Sequence, residues 1–298
     1  MKTQWLTEDI GYMAGAFFMF YVVKGAGENG LVELGVSQLV PQVLHDFEAG
    51  AGGRPDVLVA PHGHFDHAGA ASRWKKELPG ARLCMSAAAA AALENPESAR
   101  PYARAMSSIS ENPFFKDFYP LAEDDVFIEP VKTDSVLREG DEVEIGGEKL
   151  RVFETPGHSE CSLSFLHDKS GTLFVSDACG LPLPSGRIWP TAFLDRVLYE
   201  KSLVKLMGLE PENLCTGHIP PMRDSKKIRR FFEKNLEAVD NFFSRIEALH
   251  AEFGEREAVL KALKEEYAKD AMSGLAWVIK YGNKEMVRQV IDGVRGRG

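Results

Sequence analysis

A chain of 298 residues with 44% hydrophobic side chains is long enough for one large domain, or a domain with an appendage, around a sizeable core. Its formal net charge of −9 lacks the basic footprint of a general nucleic-acid binder, while leaving room for one anionic small molecule as substrate. The four cysteines, Cys84, Cys161, Cys179 and Cys215, form no short-spaced pairs, which argues against a zinc-ribbon or disulfide scaffold.

The first predicted element is a core strand over residues 12–23, an apolar run dominated by β-branched and aromatic side chains. It follows Glu8 and Asp9 rather than a basic segment, and it is too short to span a bilayer. A cytoplasmic protein without a membrane segment is therefore expected. Residues 31–34 read as the next strand, and Ser37 is placed to cap a helix reaching residue 47. The short apolar run at 57–60 then leads into Pro61-His62-Gly63-His64-Phe65-Asp66-His67. Helices are expected at 69–78 and, in the alanine-rich stretch, at 86–93.

Residues 101–130 look like an insertion with its own aromatic cluster of Tyr102, Phe114, Phe115, Phe118 and Tyr119. Three further strand-to-loop junctions follow. Residues 150–153 lead to Glu154-Thr155-Pro156-Gly157-His158, residues 172–175 to Ser176-Asp177, and residues 213–214 to Cys215-Thr216-Gly217-His218. From residue 224 the chain turns helical. Ile228, Phe231, Phe232, Val239, Phe242, Phe243, Ile246 and Leu249 form one apolar face, with Asp224 or Ser225 as cap and Gly254 as terminator. Further helices are expected at 258–267, 275–281 and 284–294.

Five of the eight histidines sit at the four junctions. In an α/β sheet, residues just past the strand ends gather at one edge, where ligands bind. Neutral imidazole is the commonest protein metal ligand, so histidines joined there by carboxylates predict a metal site. His45, His167 and His250 lie elsewhere and read as structural or solvent-facing.

With these four motifs in this order, the chain resembles the metallo-β-lactamase-fold superfamily, in its glyoxalase-II-like hydrolase layout, over roughly residues 12–222. The resemblance implies an α/β fold, a four-layer αββα sandwich over residues 1–222, with residues 223–298 as a helical C-terminal extension. Such an extension, also found in glyoxalase-II-like proteins and in the quinolone-signal response protein, implies a lid or a homodimer surface. By position, His62, His64 and His158 correspond to the ligands of one metal, and Asp66, His67 and His218 to those of a second. Asp177 corresponds to the carboxylate bridging both. The cofactors implied are two divalent ions, zinc first, with iron or manganese also suited to these ligands.

The resemblance also implies a mechanism. A hydroxide bridging the metals attacks an ester, thioester, lactone or phosphodiester, while Asp66 and Asp177 orient it. Asp177 departs from the secreted antibiotic-degrading lactamases, which lack a carboxylate there, and Ala178-Cys179-Gly180 departs from the tyrosine of acyl-homoserine-lactone lactonases. Glu33 stands where relatives often place an aspartate. Two other readings stay open. Persulfide dioxygenases hold one iron with two histidines and an aspartate, to which His62, His158 and Asp177 correspond. A regulatory protein with a retained metal site is the third.

Phe114 and Phe115, with Trp189 and Phe193 beyond the bridging aspartate, either wall an apolar substrate pocket or belong to the ordinary core. Cys161, Cys179 and Cys215 flank ligand motifs, either as buried core thiols or as pocket lining. Lys226, Lys227, Arg229 and Arg230 either greet an anionic substrate group or form a solvated helix face.

Overall fold

The computed structural model describes residues 1–15, 17–111, 126–267, 270 and 276–293. The first sheet holds β1 (Gln4–Trp5), β2 (Ile10–Ala14), β3 (Met19–Lys24), β4 (Asn29–Val32), β5 (Val57–Val59), β6 (Arg82–Ser86) and β7 (Ser135–Leu137), in that spatial order. Its first four strands pair antiparallel and the rest pair parallel. The second sheet takes β8 (Glu142–Ile145), β9 (Glu148–Glu154), β10 (Leu163–His167) and β11 (Thr172–Ser176). A two-stranded ribbon, β12 (Leu181–Pro182) and β13 (Ile188–Trp189), follows. The chain then rejoins the second sheet with β14 (Asn213–Thr216) and β15 (Met222–Arg223), giving the order β15-β14-β11-β10-β9-β8.

Period-two alternation along the strands makes the layers, because successive side chains point to opposite faces. Tyr21, Val23, Val57, Val59 and Cys84 from the first sheet meet Leu150, Val152, Phe165, Phe174 and Cys215 from the second in one buried cluster. Their alternates Phe20, Val22, Leu58, Leu83 and Met85 face outward under α1 (Val40–Ala51), α3 (Ala71–Glu77) and α4 (Ala87–Glu94). On the other side, Leu173, Val175 and Leu214 face α6 (Arg196–Met207) and α7 (Ser225–Phe253). The result is helix, sheet, sheet, helix. Short α2 (Phe65–Ala68) and long α5 (Pro96–Glu111) complete the first half, and α8 (Arg256–Tyr267) and α9 (Ala276–Ile291) follow α7. No helix among the described residues is long and apolar enough to cross a membrane.

Four details differ from the sequence reading. Residues 12–23 form a hairpin rather than one strand: Ile10 pairs with Val23 and Ala14 with Met19, and Gly15 N–H donates to Phe18 O at 2.9 Å. The turn is apolar because Phe17 and Phe18 are buried, so it lacks the polar punctuation that marks an exposed turn. Ser37 does not cap α1 but opens a 3₁₀ turn, Ser37–Leu39, while its hydroxyl accepts Phe127 N–H at 2.9 Å. The helix expected at 69–78 starts two residues later, because Gly69 closes the preceding turn of helix, its N–H donating to Phe65 O at 3.1 Å. Finally, the helices expected at 275–281 and 284–294 are one helix, α9. Gly282 packs against Trp189 and Phe193 there, and Asn283 accepts Trp189 Nε1–H at 2.9 Å.

Candidate metal centre

The loops leaving β5, β9, β11 and β14 deliver the seven candidate ligands to one edge of the sandwich. After β5, His64 occupies the N-cap of α2, and that single turn carries Asp66 and His67. After β9, Gly157 takes φ +130°, leaving His158 at the start of a loop that α6 holds closely. After β11, Ser176 adopts φ +48° and Asp177 turns inward. Gly217, just before His218, is required for contact: a Cβ there would lie 2.6 Å from His67 Cε1 and 2.8 Å from Asp177 Oδ1.

The donor atoms fall into overlapping sets: His62, His64 and His158; Asp66, His67 and His218; and His62, His67 and Asp177. Within each set the candidate atoms lie within 4.8 Å of one another. His64 Nδ1 and His158 Nε2 face each other at 2.9 Å. Asp177 touches both of the first two sets: its Oδ2 is 3.4 Å from His158 Nε2 and 3.3 Å from His67 Nε2, and its Oδ1 is 3.3 Å from His218 Nε2.

Outer partners fix the histidine tautomers. His158 Nδ1–H donates to Thr191 O at 2.8 Å, and His218 Nδ1–H donates to Phe17 O at 3.0 Å. Since a carbonyl only accepts, each Nδ1 must carry the proton, and each Nε2 lone pair faces the cluster. His67 Nδ1 donates to Glu33 Oε2 at 2.7 Å, with both side chains buried. The Nε2 atom of His62 is buried without a hydrogen-bond partner among the described residues. Such an orphan costs about 1–3 kcal/mol. A cation seated among these atoms would offset that cost, so the donor set fits a metal.

The electrostatics of the two halves differ. Burial, reinforced by neighbouring histidines, holds the His62 and His64 imidazoles well below their ordinary pKa, and therefore neutral. Burial also lowers His158, against the pull of Asp177. At His67 burial is outweighed by Glu33, Asp177 and Asp66, which raise it well above the usual imidazole value. His218 is raised too, burial being outweighed by Asp177. Asp177 itself is buried, yet His218 and His67 keep its carboxyl well below the usual carboxylate range.

Of the residues expected to line a pocket, Phe193 packs against the site, its ring centroid 4.8 Å from that of His158. Trp189 is completely buried behind it, 5.6 Å from Phe193 and bonded to Asn283. Phe114 and Phe115 lie outside the described residues, as do Phe118 and Tyr119. Phe17, which the sequence did not single out, stacks on His218 at 4.0 Å. Cys161 Sγ accepts Gly63 N–H at 3.1 Å between two ligands, whereas Cys84, Cys179 and Cys215 are buried core thiols. Lys226, Lys227, Arg229 and Arg230 are exposed on α7. His167 is structural, held by Glu148 and Ser170, and His45 is exposed.

Thr191 and Glu33 are the outer partners that residue type does not announce. Glu33 stands out in the sequence only for its place in the chain, and its approach to His67 reveals its role. Thr191 carries no sequence signal.

Known proteins resemble this chain in sequence and in fold. The family model described as the Metallo-beta-lactamase superfamily matches residues 19–218. The chain is 27% identical over 179 residues to "Acyl-coenzyme A thioesterase MBLAC2" of Gallus gallus, covering 58% of this chain and 60% of that protein. It is 37% identical over 86 residues to "Hydroxyacylglutathione hydrolase" of Chelativorans sp. (strain BNC1), covering 28% of this chain and 32% of that one. Both are thus matched over less than two thirds of their own length. Among solved structures, a metallo-beta-lactamase family protein from Thermus thermophilus superposes with a TM-score of 0.64 at 20% identity. That match covers 99% of this chain and 97% of the other. The sec-alkylsulfatase Pisa1 from Pseudomonas sp. gives 0.68 at 12% identity, covering 97% and 50%. These two show shared fold alone.

Proposed function

The chain belongs to the metallo-beta-lactamase superfamily, and from that premise we propose a hydrolase that works with two divalent cations on a small acyl ester, with an acyl thioester as first substrate class. The observation that carries the proposal is the placement of six donor side chains as two sets, with the Asp177 carboxylate against both. The thioester preference draws support from the names of two relatives, an acyl-coenzyme A thioesterase and a hydroxyacylglutathione hydrolase.

In this reading His62, His64 and His158 would hold one cation and Asp66, His67 and His218 the other, with the Asp177 carboxylate against both sets. Zinc suits these donors first, and iron or manganese are also accommodated by imidazole and carboxylate. Bound there, the cations would supply an acidified water and a Lewis acid for the acyl oxygen. The chain's own contribution is orientation: Glu33, Thr191 O and Phe17 O aim three imidazoles inward. Phe17 and Phe193 shield the His218 and His158 rings, keeping the site apolar at its flanks.

The test is hydrolysis of an acyl-coenzyme A, an acylglutathione and a simple aryl ester by metal-loaded protein, compared with Asp177→Asn and His62→Ala. Both variants should lose more than the roughly 10- to 100-fold that removal of an outer partner costs, and chelation should abolish turnover. Turnover that survives both chelation and Asp177→Asn would overturn the proposal.

A further inference from the structure

Thr191 lies in the loop between β13 and α6, distant in sequence from every ligand but 2% exposed and in contact with two ligand loops at once. Its carbonyl accepts His158 Nδ1–H at 2.8 Å. Its hydroxyl reaches the carbonyl of Asp177 at 2.9 Å and that of Cys179 at 3.3 Å. A hydroxyl has one proton to give, and both neighbours are acceptors. The third partner, Tyr199 Oη at 2.9 Å, must therefore donate to Thr191 Oγ1. The resulting chain of bonds runs from Tyr199 through Thr191 to the backbone of the carboxylate that lies against both ligand sets.

Tyr199 also packs, through its own helix backbone, against the loop that carries His158. A Cβ on Gly157, the residue before His158, would lie 2.3 Å from Tyr199 Cα. Gly157 O also accepts the N–H groups of Leu194 and Asp195 at 2.9 and 3.1 Å. The start of α6 thus presses on the His158 loop while its tyrosine, fully buried, holds the loop that carries Thr191. Burial keeps that phenol well above its ordinary pKa, as a donor rather than an anion.

We infer that Thr191 and Tyr199 are positioning residues that set His158 and Asp177 in register with each other, and so tune how tightly the centre holds its cations. The inference rests on the proposed metal-binding reading. Neither side chain approaches the space between the ligands as a donor. Their effect is exerted through the two ligand-bearing backbones, so it should appear in metal affinity and ligand-field geometry before it appears in fold stability.

The experiment titrates apo-protein with Co²⁺, following the visible ligand-field bands, and measures Zn²⁺ affinity by competition with a chromophoric chelator. The panel is wild type, Thr191→Val, Thr191→Ser and Tyr199→Phe, each with its apo-state thermal midpoint. Thr191→Val keeps the shape of the side chain and removes the donor. It should weaken Zn²⁺ binding about tenfold or more and shift the Co²⁺ bands, as loss of an outer partner does. Thr191→Ser should restore affinity to within about threefold of wild type, against the tenfold or greater loss of an unrepaired outer partner. Tyr199→Phe should fall between the two, and it decides the matter if Thr191→Val does not fold. Wild-type affinity and bands in a folded Thr191→Val or Tyr199→Phe protein, even with a lowered midpoint, would overturn the inference. A wild-type protein that binds neither ion would overturn the metal reading itself, and the inference with it.

Discussion

Glu33 holds its carboxylate on a backbone at φ +73°, a conformation that costs a non-glycine residue on the order of 1–3 kcal/mol. The surroundings keep it there: its N–H donates to Val59 O at 3.1 Å, and its side chain meets His67 Nδ1 in a buried pair. The pairing both orients the ring and makes its Nε2 a stronger donor to a cation. Glu33→Gln keeps the shape but removes the charge. It should cut the affinity of one Zn²⁺ equivalent, the one Asp66, His67 and His218 would hold, by roughly 10- to 100-fold, while the other changes little. Calorimetric titration reads this directly, and two unchanged equivalents would refute the role. At this scale the candidate donor set that the structure brings together was legible, because histidines and carboxylates recurring at apolar strand ends have few structural uses. Their supports were not, since a carbonyl such as Thr191 O or Phe17 O is carried by any residue type.

At the scale of elements, the position of α6 follows from local chemistry that the sequence displays. Asp195 caps it, accepting Leu198 N–H at 3.0 Å, and Ser202 Oγ donates to Pro156 O at 2.7 Å. Between these anchors the helix backbone lies so close to Gly157 that only a hydrogen fits. Gly157→Ala adds both a steric clash and a disfavoured positive φ. It should destabilise the protein by at least about 2 kcal/mol, the middle of the range for overpacking. Denaturant unfolding of the apo-protein checks this, and an unchanged midpoint would mean that α6 yields freely. The sequence reading placed no helix at α6, but two boundaries with the same chemistry were readable: Ser86 accepts Ala89 N–H as the cap of α4, and Asp224 accepts two N–H groups at the start of α7. The hairpin inside residues 12–23 was not, because a turn buried beside the candidate site needs no polar residues. The unbroken α9 was missed for the opposite reason. Gly282 and Asn283 look like punctuation, yet there they serve packing and a hydrogen bond to Trp189.

Across the whole molecule, the change in sequence character near residue 223 does not coincide with a break in the core. Ile228, Phe232, Val239, Phe242 and Ile246 of α7 belong to the same buried cluster as Leu173, Val175 and Leu214 of the second sheet. α9 reaches further. Gln289 Nε2 donates to Ala192 O and Phe193 O at 2.8 and 3.0 Å, and its Oε1 accepts Arg196 N–H at 2.9 Å. The C-terminal helices therefore hold the loop that carries Thr191 and Phe193, and so stand two contacts from His158. Helical periodicity revealed the apolar face of α7. What that face covers was invisible to it, since periodicity states that a face is buried and not against what. The central claim is that the sandwich edge gathers one centre for two cations. Plasma mass spectrometry of protein purified without added metal or chelator, then reconstituted with Zn²⁺ and desalted, tests it most directly. About two equivalents per chain, falling to one or fewer in Asp177→Asn, is the result expected for a shared carboxylate between two metal sites. A single tightly held iron that no second ion joins would contradict it.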